Sequence, residues 1–574
     1  MREGYTRRGF LADLGAGATV AVIALPLAMA LGIGSIPANV AEQLQAIHPW
    51  LTPPAIGLFT AVIAGLLVSA LGGSRVQIGG PTAAFMPLVF TICAAHGYEG
   101  LLLATLMAGV ILILLGAFGF GGVIKFVPYP VVTGFTAGIG IVILVSQVRD
   151  FLGLTLVDAT GAPTTMPSEV FGKVEVLWTS IASISPYATC VGVGTLAVLI
   201  GMRRWLPRVP AAVVAVGLSA LVVHFMGWSN DPPLVETIGT RFGGIPSSLP
   251  APHLPTISWQ LVRDLIPSAT AIAFLGAIES LLSAVVADGM TGHRHRSNQE
   301  LIAQGTANVA SSLFWGLPAT GAIARTAANV RSGGTTPIAG MLHALFILLF
   351  MMALAPLAST IPLASLAAVL VMVAWNVSEL QHARSWLRGP RADVLALFTT
   401  LGLTVVFDLT IAVGTGILLS SILFMQRMAQ ISTVTGITDD LKDDGASDAA
   451  DAKDARRVAS SRVPAGVEVY EINGPFFFGA ANNLRDALDQ LEKRPKVIIL
   501  RMRHVPHIDS TGLNALSEFH RRCARHGTVL LLGGVHAHPL MAMARSGLDA
   551  QIGTDHLFEN LDDALARARE LVRA

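Results

Sequence analysis

An interrupted apolar region carries the residues whose chemistry stands out most. Residues 316–334, GLPATGAIARTAANVRSGG, lie between two strongly apolar runs, yet they contain glycines, small polar residues and Arg325. A charged side chain inside a membrane is costly and usually marks a binding site or an ion path. The guanidinium is a planar fork of donors that fits the oxygens of an anion. Arg325 is therefore a candidate anion-binding residue; the alternatives are that it extends to the inner surface or pairs with a buried carboxylate.

A second interrupted region has the same pattern. Residues 79–85, GGPTAAF, and residues 317–325, LPATGAIAR, each place Pro before Thr at the start of a short apolar run. Pro suits the first turn of a helix and Thr is a fair capping residue, so both stretches predict helix starts inside the membrane. Such irregular backbone is tolerated there only beside protein or a water-filled cavity. Because a helix start has free N–H groups and a partial positive charge, two facing starts would bind an anion.

Glu279 is the other ionisable candidate. It lies in the apolar stretch ATAIAFLGAIESLLSAVVADG, with Ser283 one helical turn away on the same face. Desolvation disfavours a lone carboxylate charge, so Glu279 and Ser283 are expected to hold a coupling ion, H⁺ or Na⁺. Either ion would offset the charge of an incoming anion and allow symport. The competing interpretation is a Glu279–Arg325 ion pair that only stabilises the fold.

The composition defines the elements that must position these residues. With 53% hydrophobic and 13% charged residues among 574, and a mean hydropathy of +0.63, the chain is predicted to be an integral membrane protein. Apolar windows long enough to cross a membrane make about fourteen crossings. They begin near Ala12, Pro54, Pro81, Leu101, Pro130, Pro186, Pro210, Ala269, Leu301, Thr320, Ile338, Ile361, Asp393 and Leu409. Seven crossings separate the third from the tenth, so a repeat of seven would be inverted and its two helix starts would meet near the middle of the membrane.

The basic residues predict the orientation. With the N-terminus in the cytoplasm, most Lys and Arg before residue 430 fall on the inner side, and only Arg149, Lys173, Arg241 and Arg263 fall on the outer side. The first apolar run has no clear cleavage site and is expected to remain. The expected location is the cell (inner) membrane, as a multi-pass protein with its N-terminus and its C-terminal domain in the cytoplasm.

The chain is predicted to have three parts: a transmembrane transport domain over residues 1–430, a charged linker over 431–465, and a soluble domain over 466–574. Residues 438–463, TDDLKDDGASDAADAKDARRVASSRV, are small and charged and have no apolar period, which is typical of a linker. The segments EVYEINGPFFFGAANNLRDALDQL and KVIILRMRHVPHIDSTGLNAL then alternate strand-like and helical runs, as in a small α/β domain. Asp509 is expected to cap the helix that follows it.

Several function classes have no support in the sequence. Cys93, Cys190 and Cys523 are far apart, so neither a CxxC metal site nor a disulfide framework is expected. The net charge of +1 indicates no nucleic-acid partner. Motifs for haem, flavin or nucleotides are absent, so no cofactor and no enzyme activity are expected. No metal is expected either, unless sodium binds at Glu279.

Over nearly its whole length the sequence resembles the sulfate permease (SulP) or solute carrier 26 family of anion transporters. The matching stretches are DLGAGATVAVIALPLAMALGIG, GGPTAAFMPLV, GAIESLL and PATGAIARTAANVRSGGTTPIAG. The resemblance implies a polytopic α-helical membrane protein with fourteen spans in two inverted repeats of seven. It also implies a core domain (spans 1–4 and 8–11), a gate domain (spans 5–7 and 12–14), an elevator mechanism and a homodimer.

The resemblance also implies site residues. The family's anion site corresponds to Thr82, Ala83, Phe85, Ala322, Ile323 and Arg325. Glu279 matches the eighth-span carboxylate, where a similar sodium-coupled bicarbonate carrier has Asp followed one turn later by Thr. The pair here is Glu279 and Ser283, which favours protons over sodium. Many members have Ser before the Arg where this chain has Ala324, and Thr320 is a candidate to supply that hydroxyl instead.

The soluble part is similar to a STAS domain, the fold of anti-sigma-factor antagonists. HIDSTG, residues 507–512, matches the turn between strand and helix, and Ser510 is at the position of the serine that is phosphorylated in the soluble antagonists. Two interpretations remain open, a structural turn and a regulatory phosphorylation site. A cytoplasmic regulator of the STAS domain is a possible partner in the second case.

The predicted function is secondary active transport of a small anion such as sulfate, bicarbonate or a C4-dicarboxylate, with proton- or sodium-coupled symport. Membrane lipid surrounds such a carrier. An uncoupled anion exchanger or channel is the closest alternative, because facing helix starts also suit a pore. A membrane-anchored STAS signalling protein is an alternative of another class, and a nucleobase permease would lack the STAS domain and the Arg325 segment.

Overall fold

The structure, a computed structural model, describes residues 5–122, 128–206, 209–379, 383–407, 409–431, 433–438, 463–477 and 495–573. By its contacts the chain divides into two compact units, Met1–Ser420 and Ser421–Ala574. The predicted linker stretch 438–463 and the helical pattern after residue 477 lie almost wholly outside the described residues.

The membrane part is helical throughout. Its helices are α1 (Arg7–Ser35), α2 (Ala38–Ile47), α3 (Pro53–Leu71), α4 (Met86–Ala117), α5 (Tyr129–Leu152), α6 (Val170–Thr179), α7 (Pro186–Trp205), α8 (Ala211–Phe225), α9 (Ile238–Phe242), α10 (Trp259–Thr291), α11 (Ser297–Leu313), α12 (Ile323–Arg331), α13 (Pro337–Ser359), α14 (Leu363–Val377), α15 (Ala383–Trp386), α16 (Arg391–Val406) and α17 (Leu409–Ile431). Within the described residues, 7 of the helical segments are long and apolar enough to cross a membrane by length and composition.

Every predicted crossing corresponds to a helix in the described part of the chain, with the third and fourth joined in α4. Gly97 breaks α4 with φ 69° and ψ −176°, a left-handed conformation that a residue with a side chain adopts only with strain. The part before Gly97 is about 16 Å long, half of a membrane crossing. The eighth crossing, α10, begins at Trp259 rather than near Ala269, because Ser258 caps a first turn that lies before the predicted apolar window by accepting from Leu261 N.

Two groups of helices pack among themselves. One contains α1, α3, α4 and α10 to α13, and the other contains α5, α7, α8, α14 and α16. Small residues allow close approach within the first group: Gly109 of α4 lies against the backbone of Gly305 in α11, and Gly305 lies against the backbone of Gly109. The two interrupted regions both belong to the first group, where short strands β1 (Gly79–Gly80) and β2 (Thr320–Gly321) lead into the helices.

The C-terminal unit is a small α/β domain, as predicted. Its strands are β3 (Thr433–Gly436), β4 (Val467–Asn473), β5 (Val497–His504), β6 (Val529–Gly533) and β7 (Leu557–Phe558), and they form one sheet in that order. Strands β4 to β7 are parallel and β3 is antiparallel to β4. Because β3 lies within residues 431–465, the stretch predicted to be a linker, the sheet includes residues before the predicted domain boundary at 466. The described helices are α18 (Ser510–Arg525), α19 (Ala537–Ser546), α20 (Leu548–Ile552) and α21 (Leu561–Arg573). Side chains on alternate positions of the central strands form two buried apolar clusters.

Candidate anion-binding site

Strands β1 and β2 bring the two interrupted regions together. They pair antiparallel, with Gly79 opposite Gly321 and Gly80 opposite Thr320. Each strand runs almost directly into a helix, β1 through Pro81 and Thr82 and β2 through Ala322. Because the strands are antiparallel, the helix starts that follow them approach the ladder from opposite directions.

The start after β1 is a 3-10 turn, Ala83–Phe85, that continues into α4. Thr82 has the N-cap position, but its side chain makes no cap hydrogen bond. Its hydroxyl instead donates to Glu279 Oε2 of α10 at 2.9 Å. Ala83 and Phe85 are buried, with 7% and 2% of their surfaces exposed. This helix start therefore has no acceptor from its own cap residue.

The start after β2 has the same property. Ala322 is the N-cap residue of α12 and has no side-chain acceptor to offer the first N–H groups. Ala322 is 8% exposed, whereas Ile323, the first helical residue, is 42% exposed. Thr320 donates its hydroxyl to Gly276 O at 3.0 Å and is fully buried, so that proton is not directed to an anion at the helix start.

Arg325 lies between the two starts. It is 2% exposed, and one terminal nitrogen, Nη2, donates to Pro81 O next to β1. A Cβ atom added to Gly80, which has φ 148°, would lie 2.5 Å from Arg325 Nη1, so glycine at this position makes room for the guanidinium. Within the described residues, Nε and Nη1 of Arg325 have no hydrogen-bond partner. These donors are therefore free for an anion.

Glu279 does not pair with Arg325. Among the described residues Glu279 bonds Thr82, and no ion pair joins it to the guanidinium. Ser283 is fully buried and donates to the Thr326 hydroxyl of α12 at 3.1 Å. The predicted coupling residues therefore contact one helix start each, Glu279 the α4 start and Ser283 the first turn of α12. The geometry leaves the alternative of a simple Glu279–Arg325 pair without support.

Polar residues that the sequence analysis did not identify connect α10 and α12 to the chain that leads into β1. Thr326 accepts from Ile78 N at 3.1 Å, and Asn329 donates to Val76 O at 2.9 Å, so one face of α12 binds the chain that leads into β1. Gln77 donates to Ser280 O of α10 at 3.1 Å. His343 of α13 is fully buried, and neither ring nitrogen has a hydrogen-bond partner in the described part of the chain. A lone His in the apolar run MLHALF was the only sequence signal for it.

Other predicted residues lie away from this site. Ser510 is exposed as the first residue of α18, and Asp509 caps that helix by accepting from Gly512 N at 2.7 Å, as predicted. No group of three or more His, Cys, Asp or Glu side chains that could hold a metal ion occurs in the ranges that the structure describes. The site is thus built from helix starts, one guanidinium and one carboxylate.

These features define a class of protein, a polytopic membrane transporter with two facing half helices and a C-terminal STAS-type domain. The family model described as Sulfate permease family matches residues 10–400, and the STAS domain model matches residues 459–564. The chain belongs to the sulfate permease family. This membership confirms the resemblance noted in the sequence and makes the chain a multi-pass anion transporter of that family.

Individual relatives agree with this membership. YvdB of Bacillus subtilis is 39% identical over 563 residues, which cover 98% of this chain and 98% of YvdB. The bicarbonate transporter BicA of Picosynechococcus is 30% identical over 530 residues, covering 89% of this chain and 86% of BicA. The murine solute carrier 26 family member A9 anion transporter, solved in its inward-facing state, superposes with a TM-score of 0.84 at 19% identity, covering 99% of this chain and 93% of that one. That last likeness shows a shared fold.

Proposed function

We propose that the chain is a secondary active transporter that carries a small oxyanion between the starts of α4 and α12. The observation that carries the proposal is the buried Arg325, whose Nε and Nη1 have no partner in the described residues and lie beside two helix starts without side-chain caps. Free N–H groups at a helix start and a guanidinium fork are the donors that oxyanions prefer. We assign Thr82, Ala83, Phe85, Ala322 and Ile323, which belong to these two helix starts, to the same site.

The substrate class is sulfate, bicarbonate or a C4-dicarboxylate such as fumarate. Each of these anions presents a group of oxygens that can accept from one guanidinium and several backbone N–H groups. BicA, which is 30% identical to this chain, is named as a bicarbonate transporter, and the matching family model is named for sulfate. Both names support an oxyanion rather than a halide as the cargo of this chain.

Coupling is assigned to Glu279. Its bond to Thr82 links the carboxylate to the α4 start, so the charge on Glu279 acts on the same helix start that would hold the anion. A carboxylate beside the site repels an anion, whereas a bound proton or sodium ion removes that repulsion. Ion binding at Glu279 and Ser283 would therefore raise the affinity for the anion, which is the thermodynamic requirement of symport.

The movement is assigned to the two packing groups. The helices of the first group, α1, α3, α4 and α10 to α13, contain both helix starts and form a core domain that carries the site as one body. The second group, with α5, α7, α8, α14 and α16, forms the gate past which the core slides. The STAS domain is assigned to the cytoplasm, where it joins two copies of the chain or binds a regulator.

The test is uptake of radiolabelled sulfate, bicarbonate and fumarate into proteoliposomes under an imposed proton or sodium gradient. We expect accumulation of one anion above equilibrium, and Arg325→Ala should abolish it, since removal of one partner of a buried charged contact costs about 2–5 kcal/mol. Arg331→Ala is the matched control, because Arg331 is exposed at the other end of α12. Normal uptake in Arg325→Ala would return Arg325 to a structural role.

The same experiment separates the alternatives. If no gradient drives accumulation but labelled anion exchanges freely, the protein is an exchanger or a channel rather than a symporter. If no anion crosses at all, the transmembrane part acts as an anchor or sensor for the STAS domain. A competition series among the three anions then ranks the substrates.

A further inference from the structure

Lys173 is a buried cation that the proposed site does not use. It lies on α6, between the fifth and sixth crossings, and 2% of it is exposed. Its ammonium donates to the Ser146 hydroxyl of α5 at 3.0 Å and lies 4.7 Å from the centre of the Phe90 ring of α4. Within the ranges that the structure describes, no carboxylate forms an ion pair with Lys173. A positive charge is therefore enclosed between α4, α5 and α6.

The carboxylate of α5, that of Asp150, already forms an ion pair with another residue. Asp150 is one turn beyond Ser146, and Arg241 Nη1 lies 2.8 Å from Asp150 Oδ1. Lys173 is left with a hydroxyl and an aromatic face, which stabilise an ammonium only in part. An ammonium removed from water without a counter-charge is costly, and replacing it with an apolar side chain would be expected to stabilise the fold. Stability alone does not explain why a lysine is at this position.

The position of Lys173 relates it to the anion site. Phe90 is five residues beyond Phe85 on the same helix, about 7.5 Å along the axis. Helix α5, which holds Ser146, also contacts the 3-10 turn Ala83–Phe85. Lys173 therefore lies beside the helix that starts at the site, in the direction in which α4 runs, which is the predicted outer side. It also lies where the first helix group meets the second, because Phe90 belongs to α4 and Ser146 to α5.

We propose that Lys173 is an outer binding residue for the transported oxyanion. The ammonium lies over Phe90 while α4 and α5 are packed against each other. When α4 moves away from α6, the ammonium donates to the entering anion, which supplies the counter-charge that no carboxylate supplies. The inference rests on the proposed function, and its ligand is the same small oxyanion.

The test compares the two faces of the membrane. Lys173→Met removes the charge and keeps an unbranched apolar chain against Phe90. The probe is radiolabelled sulfate, bicarbonate or fumarate, whichever the wild-type protein takes up, offered to intact cells (outer face) and to inverted vesicles (inner face). We expect the KM in cells to rise about tenfold, as for loss of one charge-assisted contact, and the KM in inverted vesicles to stay within about twofold. Lys173→Arg should keep the wild-type KM on both faces.

Two further variants separate charge from packing. Arg263→Met removes another predicted outer charge at an exposed position and should leave both KM values unchanged. Phe90→Leu removes the ring but keeps the ammonium, so the outer KM should not rise. The proposal is overturned by an unchanged outer KM in Lys173→Met, by an equal rise on both faces or a rise on the inner face alone, or by the same rise in Arg263→Met or Phe90→Leu. If Lys173→Met does not reach the membrane, Lys173→Gln carries the same expectation.

Failure of this inference can be told from failure of the proposed function. A wild-type protein that takes up none of the three anions overturns the proposed function. The role of Lys173 alone is overturned if the wild-type protein takes up an anion, Arg325→Ala abolishes that uptake, and Lys173→Met leaves the KM unchanged on both faces.

Discussion

Helix α18 of the STAS domain and the half helices α4 and α12 of the membrane part begin in opposite ways. Asp509 satisfies the start of α18 with its own carboxylate, which accepts from Gly512 N at 2.7 Å. At α4 the cap residue Thr82 turns its hydroxyl to Glu279, and at α12 the cap residue Ala322 has no acceptor at all. The start of α18 is thus capped by its own side chain, whereas neither of the two starts in the membrane has a side-chain cap.

This difference has a physical cost that indicates a role. N–H groups at a helix start are expensive to leave unpaired away from water, and an Asp, Ser, Thr or Asn cap usually satisfies some of them. Two open starts beside a buried Arg325 concentrate positive potential at one place. A bound anion would offset this potential, which is the physical basis of the proposed site.

The strongest test of the difference between these helix starts is to give α12 the kind of cap that α18 has. Ala322→Asp places a carboxylate at the N-cap beside Arg325, where it can accept the N–H groups and neutralise the guanidinium. We expect a correctly folded protein whose anion uptake falls about a hundredfold or more, because its own carboxylate occupies the anion's place. Uptake into proteoliposomes measures the loss, and size-exclusion chromatography measures the folding.

Ala322→Asn is the matched control, since Asn caps a helix nearly as well but carries no charge. A smaller loss in Ala322→Asn than in Ala322→Asp would assign the effect to charge. Uptake within about twofold of wild type in Ala322→Asp would show that the anion does not bind at the start of α12.

Glu279 allows a second test at the α4 start, because it accepts the hydrogen bond from the Thr82 hydroxyl, which therefore does not cap the helix. Glu279→Gln keeps an acceptor for Thr82 but removes the charge that a proton or sodium ion would balance. We expect anion exchange to continue while gradient-driven accumulation is lost, as shown by counterflow and by uptake under imposed gradients. Glu175→Gln, at an exposed position of α6, is the control. A gradient response that survives in Glu279→Gln would contradict the coupling role.

Asp509 tests the capped helix start of the STAS domain, where we expect an effect on stability and none on transport. Asp509→Ala removes the cap of α18, which is expected to cost about 1 kcal/mol of local stability. Amide hydrogen exchange in the first turn of α18 should become about fivefold faster, while the KM for the anion stays unchanged. Ser510→Ala leaves the cap in place and should exchange like the wild type. A change of transport in Asp509→Ala without faster exchange would contradict a purely structural cap.

The sequence indicated the two helix starts and the two isolated charged residues of the candidate site, but not the contacts that join them. Pro before Thr at two interrupted spans indicated both helix starts, and isolated charges in apolar runs indicated Arg325 and Glu279. The strand pair β1–β2 has two residues per strand, too short for any periodic pattern, and its partners are far apart in the chain. The direction of a single hydroxyl is equally invisible in a sequence, so the bond from Thr82 to Glu279 was not predicted.

The smallest expected effect concerns Cys523, which reports whether α18 stays packed when its cap is removed. Cys523 is 4% exposed on the buried face of α18, and burial raises the pKa of its thiol to about 11. At pH 8 only about a thousandth of it is thiolate, the reactive form, and each added unit of pH increases that fraction about tenfold while the thiol remains buried. We expect alkylation of Cys523 in the folded protein to be much slower than in the same protein unfolded by denaturant. In Asp509→Ala the rate at Cys523 should change less than about twofold, since loss of a cap loosens the first turn and leaves the packed end of the helix in place. Fast labelling of Cys523 in that variant, measured by mass spectrometry, would mean that Asp509 stabilises the whole of α18. The cap would then do more than satisfy the first turn of the helix.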